Sequence, residues 1–266
     1  MTAEKEILAK PSPVELYRSR LSGSAWLLFL GVVAVAGGIA YYNISENWVA
    51  ILVAWFLGGI LGYLGFLAIT NALKVERLRL AAHMLRSLSL HALMANEKGN
   101  DEALRMLGEA EHRERSFIVR AFRAAGVDVE QTFLESTIEG IRKGSEPPYI
   151  LVYRNGVLDA PATLTANLTA RTAGVVIGIF AFILLGLVML AVGIIIDSIF
   201  IYTTSRTLKK HAQLENRVRR QLGLREVPAE GPGAGGLIVS ILTGGLYLPI
   251  YAKKLTESLD AHIATH

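Results

Sequence analysis

The chain contains no cysteine. That removes disulfides, thiol nucleophiles and iron–sulfur ligation as explanations of what it does. Other signatures are missing too. There is no glycine-rich phosphate loop with its lysine, no Gly-x-Ser-x-Gly and no His-Glu-x-x-His. No catalytic residue, cofactor or metal site is therefore expected. Nucleic acid is not an expected partner either, because no basic run is interleaved with aromatic residues.

Charge is absent over long stretches. Residues 25–42 and 48–70 carry none, and residues 172–202 carry only Asp197. Just over half of the 266 residues are apolar, yet a fifth are charged, so apolar blocks alternate with charged ones. This is the pattern of a multi-pass membrane protein rather than of a soluble core. No cleavable leader is expected, since the first apolar run starts only at Ala25 and is too long for one.

The first two runs read as a transmembrane hairpin, residues 25–70, after a polar segment, residues 1–24. Trp26, Tyr41, Tyr42 and Trp48 mark its interfaces. Arg18 and Arg20 precede it, and Lys74, Arg77 and Arg79 follow. The positive-inside rule then places both flanks, and both termini, in the cytoplasm of a cell-membrane protein.

Residues 71–171 read as a cytoplasmic helical domain. No proline interrupts residues 48–95, so the second span is expected to continue outward as a stalk. Leu78, Leu85 and Ala92, with Ala81, Leu88 and Ala95, repeat every seven residues and predict a coiled-coil-like seam. A helix is predicted over residues 101–125 with Asn100 as its cap, and another over residues 129–143. A β-hairpin around Asn155-Gly156, or an extended linker, follows Pro147 and Pro148. The expected fold class is all-α, polytopic, with this cytoplasmic insertion and small hairpin.

Residues 172–202 form a third membrane segment, either a single span or a hairpin turning near Gly186. Residues 203–231 follow as a basic amphipathic helix and linker. Arg206, Lys209, Lys210, Arg217, Arg219 and Arg220 would meet lipid phosphates while Leu208, Leu214, Val218 and Leu222 lie on lipid. Residues 232–252 make a fourth membrane or re-entrant segment, and residues 253–266 a cytoplasmic tail. A single crossing by the third segment would put seven basic residues outside, against the positive-inside rule. Four spans are nevertheless the favoured reading, because re-entrant backbone needs protein or water around it.

Four features could carry function. Gly58 and Gly62, and again Gly174 and Gly178, are spaced for close helix packing, within the chain or between copies. Asp197 is the one ionisable group in an apolar run, either an ion or proton contact or an interfacial helix cap. Thr243, Gly244 and Gly245, with Pro249, could break a helix around a solute or ion. Glu109-x-x-His112 has the spacing of a di-metal half-site but lacks a second copy, so it reads as a solvated surface. His211 and Glu215, four apart, read as a surface pair. His83 and His91 share no narrow face.

Thr243, Gly245, Tyr247 and Tyr251, followed by Lys253 and Lys254, resemble the Thr-x-Gly-Ile-Tyr turn of an uncharacterised prokaryotic integral membrane domain. The likeness covers at most the last 70 or so residues. The family's tryptophan is missing here and Pro249 is an intrusion. Residues 197–211 look like a degenerate second copy, since Leu208 to His211 echoes Leu259 to His262. The resemblance implies a membrane domain and lends no catalytic residue. Together these observations predict a non-enzymatic, oligomeric membrane scaffold or adaptor. It would present its cytoplasmic helices to a copy of itself or to a membrane-complex partner. The alternative is a small-solute channel or transporter broken at Thr243.

Overall fold

The computed structural model describes residues 10–17, 20–124 and 179–265, and every element among them is helical. In chain order these are α1 (Pro13–Leu16), α2 (Leu21–Ser45), α3 (Trp48–Lys98), α4 (Asp101–Ala124), α5 (Ile179–Gln221), α6 (Ala234–Leu242) and α7 (Leu248–Ala264). The helix expected over residues 129–143, the hairpin around Asn155-Gly156, and Gly174 and Gly178 lie outside the described residues.

Among the described residues, three helices are long and apolar enough to cross a membrane: α2, α3 and α5. Their outer faces carry Trp26, Leu30, Val33, Val53, Leu57, Val192, Ile195 and Ile199, all exposed. So much apolar surface in the open is what a lipid-facing belt requires. α3 has 51 residues, about 76 Å at 1.5 Å per residue, more than twice the hydrocarbon thickness. Asn47 starts it by accepting a hydrogen bond from Val49 N–H at 3.1 Å. Gly99, in the left-handed region at φ 58°, ends it.

Small residues set the contact of α2 with α3. A methyl group on Gly65 would lie 2.6 Å from the Leu28 backbone nitrogen, and one on Gly31 would lie 3.0 Å from Gly58 O. Gly58 faces Val35, and Gly62 faces Leu190 of α5. Both residues of the first small-residue pair are thus used for packing within the chain.

Beyond the apolar belt, α3, α4, α5 and the end of α7 form a helical platform. Leu78, Ala81, Leu85, Leu88, Ala92 and Ala95 are all buried in its core, with Leu107, Phe117, Phe122, Leu208, Val218, Leu222, Leu259 and Ile263. The seven-residue seam therefore packs against the chain's own helices. The apolar face of the basic segment does the same. Leu208, Val218 and Leu222 are buried against protein, where the sequence predicted lipid, because α5 continues unbroken from the membrane into the platform. Arg206, Lys209, Lys210, Arg217 and Arg220 remain exposed, while Arg219 is partly buried.

The register of α5 on α3 resolves the conflict over sidedness. Leu190 meets Gly62 and Gly193 meets Phe66. Further along, Glu215 accepts from Ser87, and Lys98 Nζ donates to Leu222 O. The order is the same along both helices, so they run parallel and the basic end of α5 lies on the same side as the stalk. α4 returns along α3 until Phe117 lies under Arg77, 5.4 Å from the guanidinium carbon to the ring centroid. Residues 124 and 179 therefore lie toward opposite ends of the membrane-spanning helices.

The C-terminal apolar segment differs from the favoured fourth span. α6 has nine residues, about 13 Å, too short to cross. The chain then reverses through Gly244 and Gly245, at φ 59° and 91°. A methyl group on Gly245 would meet Ile194 and Leu28 at 2.9 and 3.3 Å, so this turn sits between α2 and α5. Pro249, out of place as a helix interior residue, occupies the first turn of α7, where a missing N–H costs nothing.

Two predictions follow from this packing. Single cysteines at Ser116, Gln213 and Ala264 should react with an impermeant thiol reagent from one side of the membrane, and one at Asn43 only from the other. Labelling of Gln213→Cys and Asn43→Cys from the same side would refute the parallel register. Separately, Gly65→Val should destabilise the hairpin by about 1–3 kcal/mol through overpacking. Gly37→Val, where an added methyl group would meet no neighbouring helix within 4 Å, should leave detergent unfolding curves nearly unchanged.

Candidate metal centre

The platform core is not purely apolar. Where α3, α5 and α7 meet, His83, His211, Glu215 and His262 are buried together, and one donor atom from each lies within 4.8 Å of the others. The three imidazole rings stand edge to face, with centroids 4.9 to 5.7 Å apart and interplanar angles of 74° to 89°.

Each donor is oriented by a second residue. His83 Nδ1 lies 2.9 Å from a Glu15 carboxylate oxygen. His211 Nδ1 lies 3.0 Å from both carboxylate oxygens of Glu114. His262 Nδ1 lies 3.1 Å from the Pro228 carbonyl. These partners only accept, so each imidazole donates from Nδ1, and in its neutral form each carries its lone pair on Nε2. Glu215 is divided in the same way. Its Oε1 accepts from Ser87 Oγ at 2.9 Å, while its Oε2 lies 3.2 Å from His262 Nε2 and 3.5 Å from His211 Nε2. His211 Nε2 is buried and makes no hydrogen bond.

Local chain features explain how Glu15 arrives there. Ser12 caps α1, with Glu15 N–H donating to Ser12 Oγ and Glu15 Oε2 accepting from Ser12 N–H at 2.6 Å. This capping box fixes the carboxylate over α3. Arg86 Nε, fully buried, lies 2.9 Å from both Glu15 oxygens. Arg79 donates to the Glu15 carbonyl and to Glu76 and Asp260, while Thr256 donates to Glu76 at 3.0 Å. The second group of contacts ties α7 to α3 beside the histidines.

The donor set fits a divalent transition metal. Four donors on a tetrahedron of 2.0–2.1 Å bonds stand about 3.3 Å apart. The Glu215 distances to His211 and His262 are already of that size. Three imidazoles and one carboxylate suit zinc, cobalt or iron and exclude a purely oxygen-ligated calcium or magnesium site. Carboxylates or carbonyls on the far ring nitrogens are the usual second layer of histidine-bound metals. Charge points the same way. Glu15, Glu114 and Glu215 bring three buried carboxylates against Arg86 and the rim residue Arg219, 3.6 Å from Glu215. A cation among them offsets the excess.

The sequence reading placed these residues differently. His211 and Glu215 are indeed a pair at one helical turn, but they are buried rather than on the surface. Glu109 and His112 are exposed, as expected, whereas Glu114 in the same charged run turns inward. Asp197 lies inside α5, fully buried, not at a helix start. Thr243 is occupied with the turn itself, donating to Val239 O and accepting from Tyr247 N–H. Glu15, Glu114 and His262 went unrecognised. One signal was present: Leu80, Leu208 and Leu259 each precede a donor histidine by three residues, and all three leucines are buried.

No protein-family model, curated protein or solved structure matches the chain. Removing Arg86, as Arg86→Met, leaves Glu15 without its buried guanidinium and should destabilise the protein by about 3–5 kcal/mol. Arg105→Met, removing an exposed guanidinium from Glu102 and Glu109 on α4, should leave the same unfolding midpoint almost unmoved.

Proposed function

We propose that this protein is a multi-pass membrane scaffold whose platform is assembled around one divalent transition-metal ion. His83, His211, His262 and Glu215 hold the ion. The observation that carries this reading is the convergence of four buried donors, each oriented by its own hydrogen-bond partner. The protein supplies all four tetrahedral positions and the donors are closed off from solvent, which is the form of a structural site rather than a hydrolytic one. Binding energy at such a site becomes folding energy for the parts that it joins.

The platform lies on the cytoplasmic face in this reading, since Lys74, Arg77, Arg206, Lys209 and Lys210 cluster where it leaves the membrane. The charged outer face of α4, with Glu102, Arg105, Glu109 and Arg113, is the surface it offers a protein partner. Use of Gly58 and Gly62 inside the chain weakens the case for a homo-oligomer through that motif. The channel or transporter alternative draws less support, because the Thr243 turn spends its polar groups on capping.

Metal analysis tests the central claim. Full-length protein purified in detergent from zinc-supplemented cells should carry close to one zinc per chain, and cobalt should replace it with the absorption of a tetrahedral site. His211→Ala should abolish stoichiometric binding. Glu114→Gln, which removes only an orienting charge, should weaken affinity about 10–100-fold. A wild-type protein that neither retains zinc nor takes up cobalt would falsify the reading.

A further inference from the structure

We infer that the ion acts as a latch on the C-terminal helical hairpin, so that the hairpin's position in the membrane responds to divalent metal. This rests on the metal-centred reading above and adds a regulatory consequence to it.

Three of the four donors sit on α3 and α5, which run side by side from the membrane into the platform. The fourth, His262, sits on α7, which reaches the site by a different route. It follows α6 and a linker that α5 holds at two places, Asn216 bonding Val227 and Ser205 Oγ donating to Pro232 O at 2.7 Å. His262 is thus the one donor of the four that is carried on neither α3 nor α5.

The contacts of α7 divide into two zones. Leu248, Tyr251, Ala252 and Leu255 pack with Leu21, Ala25, Leu28 and Ile201 at the membrane end. Lipid tails can replace such contacts with little loss, because apolar burial is not favoured over lipid as it is over water. In the platform core α7 contributes only Leu259 and Ile263. The rest of its hold there is polar: Thr256 on Glu76, Asp260 on Arg79, and His262 at the metal centre. His262 also anchors the linker, through Pro228 O.

A bound ion therefore adds, to the Thr256 and Asp260 contacts, a joint that ties α7 to α3 and α5 at once. Loss of the ion removes that joint and leaves the imidazole facing the Glu215 carboxylate, 3.2 Å away. The far end of the hairpin, Gly245, is wedged between Leu28 and Ile194. Movement at His262 is transmitted there along α7, which couples metal on the platform to packing between α2 and α5.

The absence of native cysteine makes the test direct. Spin labels at Gln213→Cys and Ala264→Cys, both exposed, report the distance from α5 to the end of α7 in full-length protein in nanodiscs. Labels at Asn96→Cys and Gln213→Cys report α3 against α5. With zinc the first pair should give one narrow distance distribution. Chelation should broaden it and shift it to longer distances, and added zinc should restore it, while the second pair stays unchanged. His262→Ala should show the chelated distribution even with zinc present. If the protein binds zinc stoichiometrically but the first pair does not respond to chelation, the latch is overturned and the metal centre stands. If the protein binds neither zinc nor cobalt, both fall.

Discussion

Three carboxylates buried in one small volume are the constraint around which this fold is organised. A carboxylate taken out of water costs several kcal/mol unless opposite charge and hydrogen bonds replace the solvent. Glu15 finds Arg86, His83 and the Ser12 N–H; Glu114 finds His211; Glu215 finds Ser87, His211 and His262. Most of these partners are distant in sequence, 68 residues apart for Glu15 and His83, 97 for Glu114 and His211, and 128 for Ser87 and Glu215. Meeting the demand of each carboxylate therefore draws α1, α3, α4, α5 and α7 into one arrangement. A rearrangement that misplaces any of these helices strands a charge.

Two solvents act on the same helices, and the packing changes character where one gives way to the other. In the apolar belt the helices touch through Gly31, Gly58, Gly62 and Gly65, because close backbone approach is what holds helices together in lipid. Past Thr70 the contacts are leucines, alanines and phenylalanines, since there burial from water drives association. α3 and α5 run through both regimes without a break. Rigid helices that cross the boundary in parallel carry the register set by glycines in the membrane into the platform, and this places His211 opposite His83.

Much of the membrane part could be read from the chain. The uncharged runs, the aromatic borders and the Asn100 and Gly99 signals between α3 and α4 are local, and the helices start and end where these signals stand. The seven-residue seam was visible too, but a repeat does not say whether its partner is another copy or the chain itself. The reversal after α6 was harder, because a nine-residue apolar stretch with a broken end reads as part of a span until its turn is seen wedged against Leu28 and Ile194. The centre was least legible. Its members come from five helices, and no spacing within one segment announces them. The single local pair, His211 and Glu215, has the spacing of a common surface ion pair, and only tertiary burial distinguishes the two.

The Leu-x-x-His recurrence at residues 80–83, 208–211 and 259–262 shows what a buried functional histidine looks like before its fold is known. On an amphipathic helix the residue three places after a buried leucine lies on the same inward stripe. A histidine there cannot reach water, so it must be satisfied by protein or by a ligand. One such histidine is commonly satisfied by a carbonyl or a carboxylate, and here each Nδ1 is satisfied in that way. But an imidazole has two nitrogens. In a purely structural polar core the second would find a partner of its own, as the groups around Arg79 do. Here the second nitrogens of His211 and His262 converge on one oxygen of Glu215, at 3.5 and 3.2 Å, beside the His83 ring, and His211 Nε2 makes no hydrogen bond there. Hydrogen bonding alone gives no reason to gather them. Coordination does, because it requires lone pairs from separate helices to meet at about 2 Å from a common point.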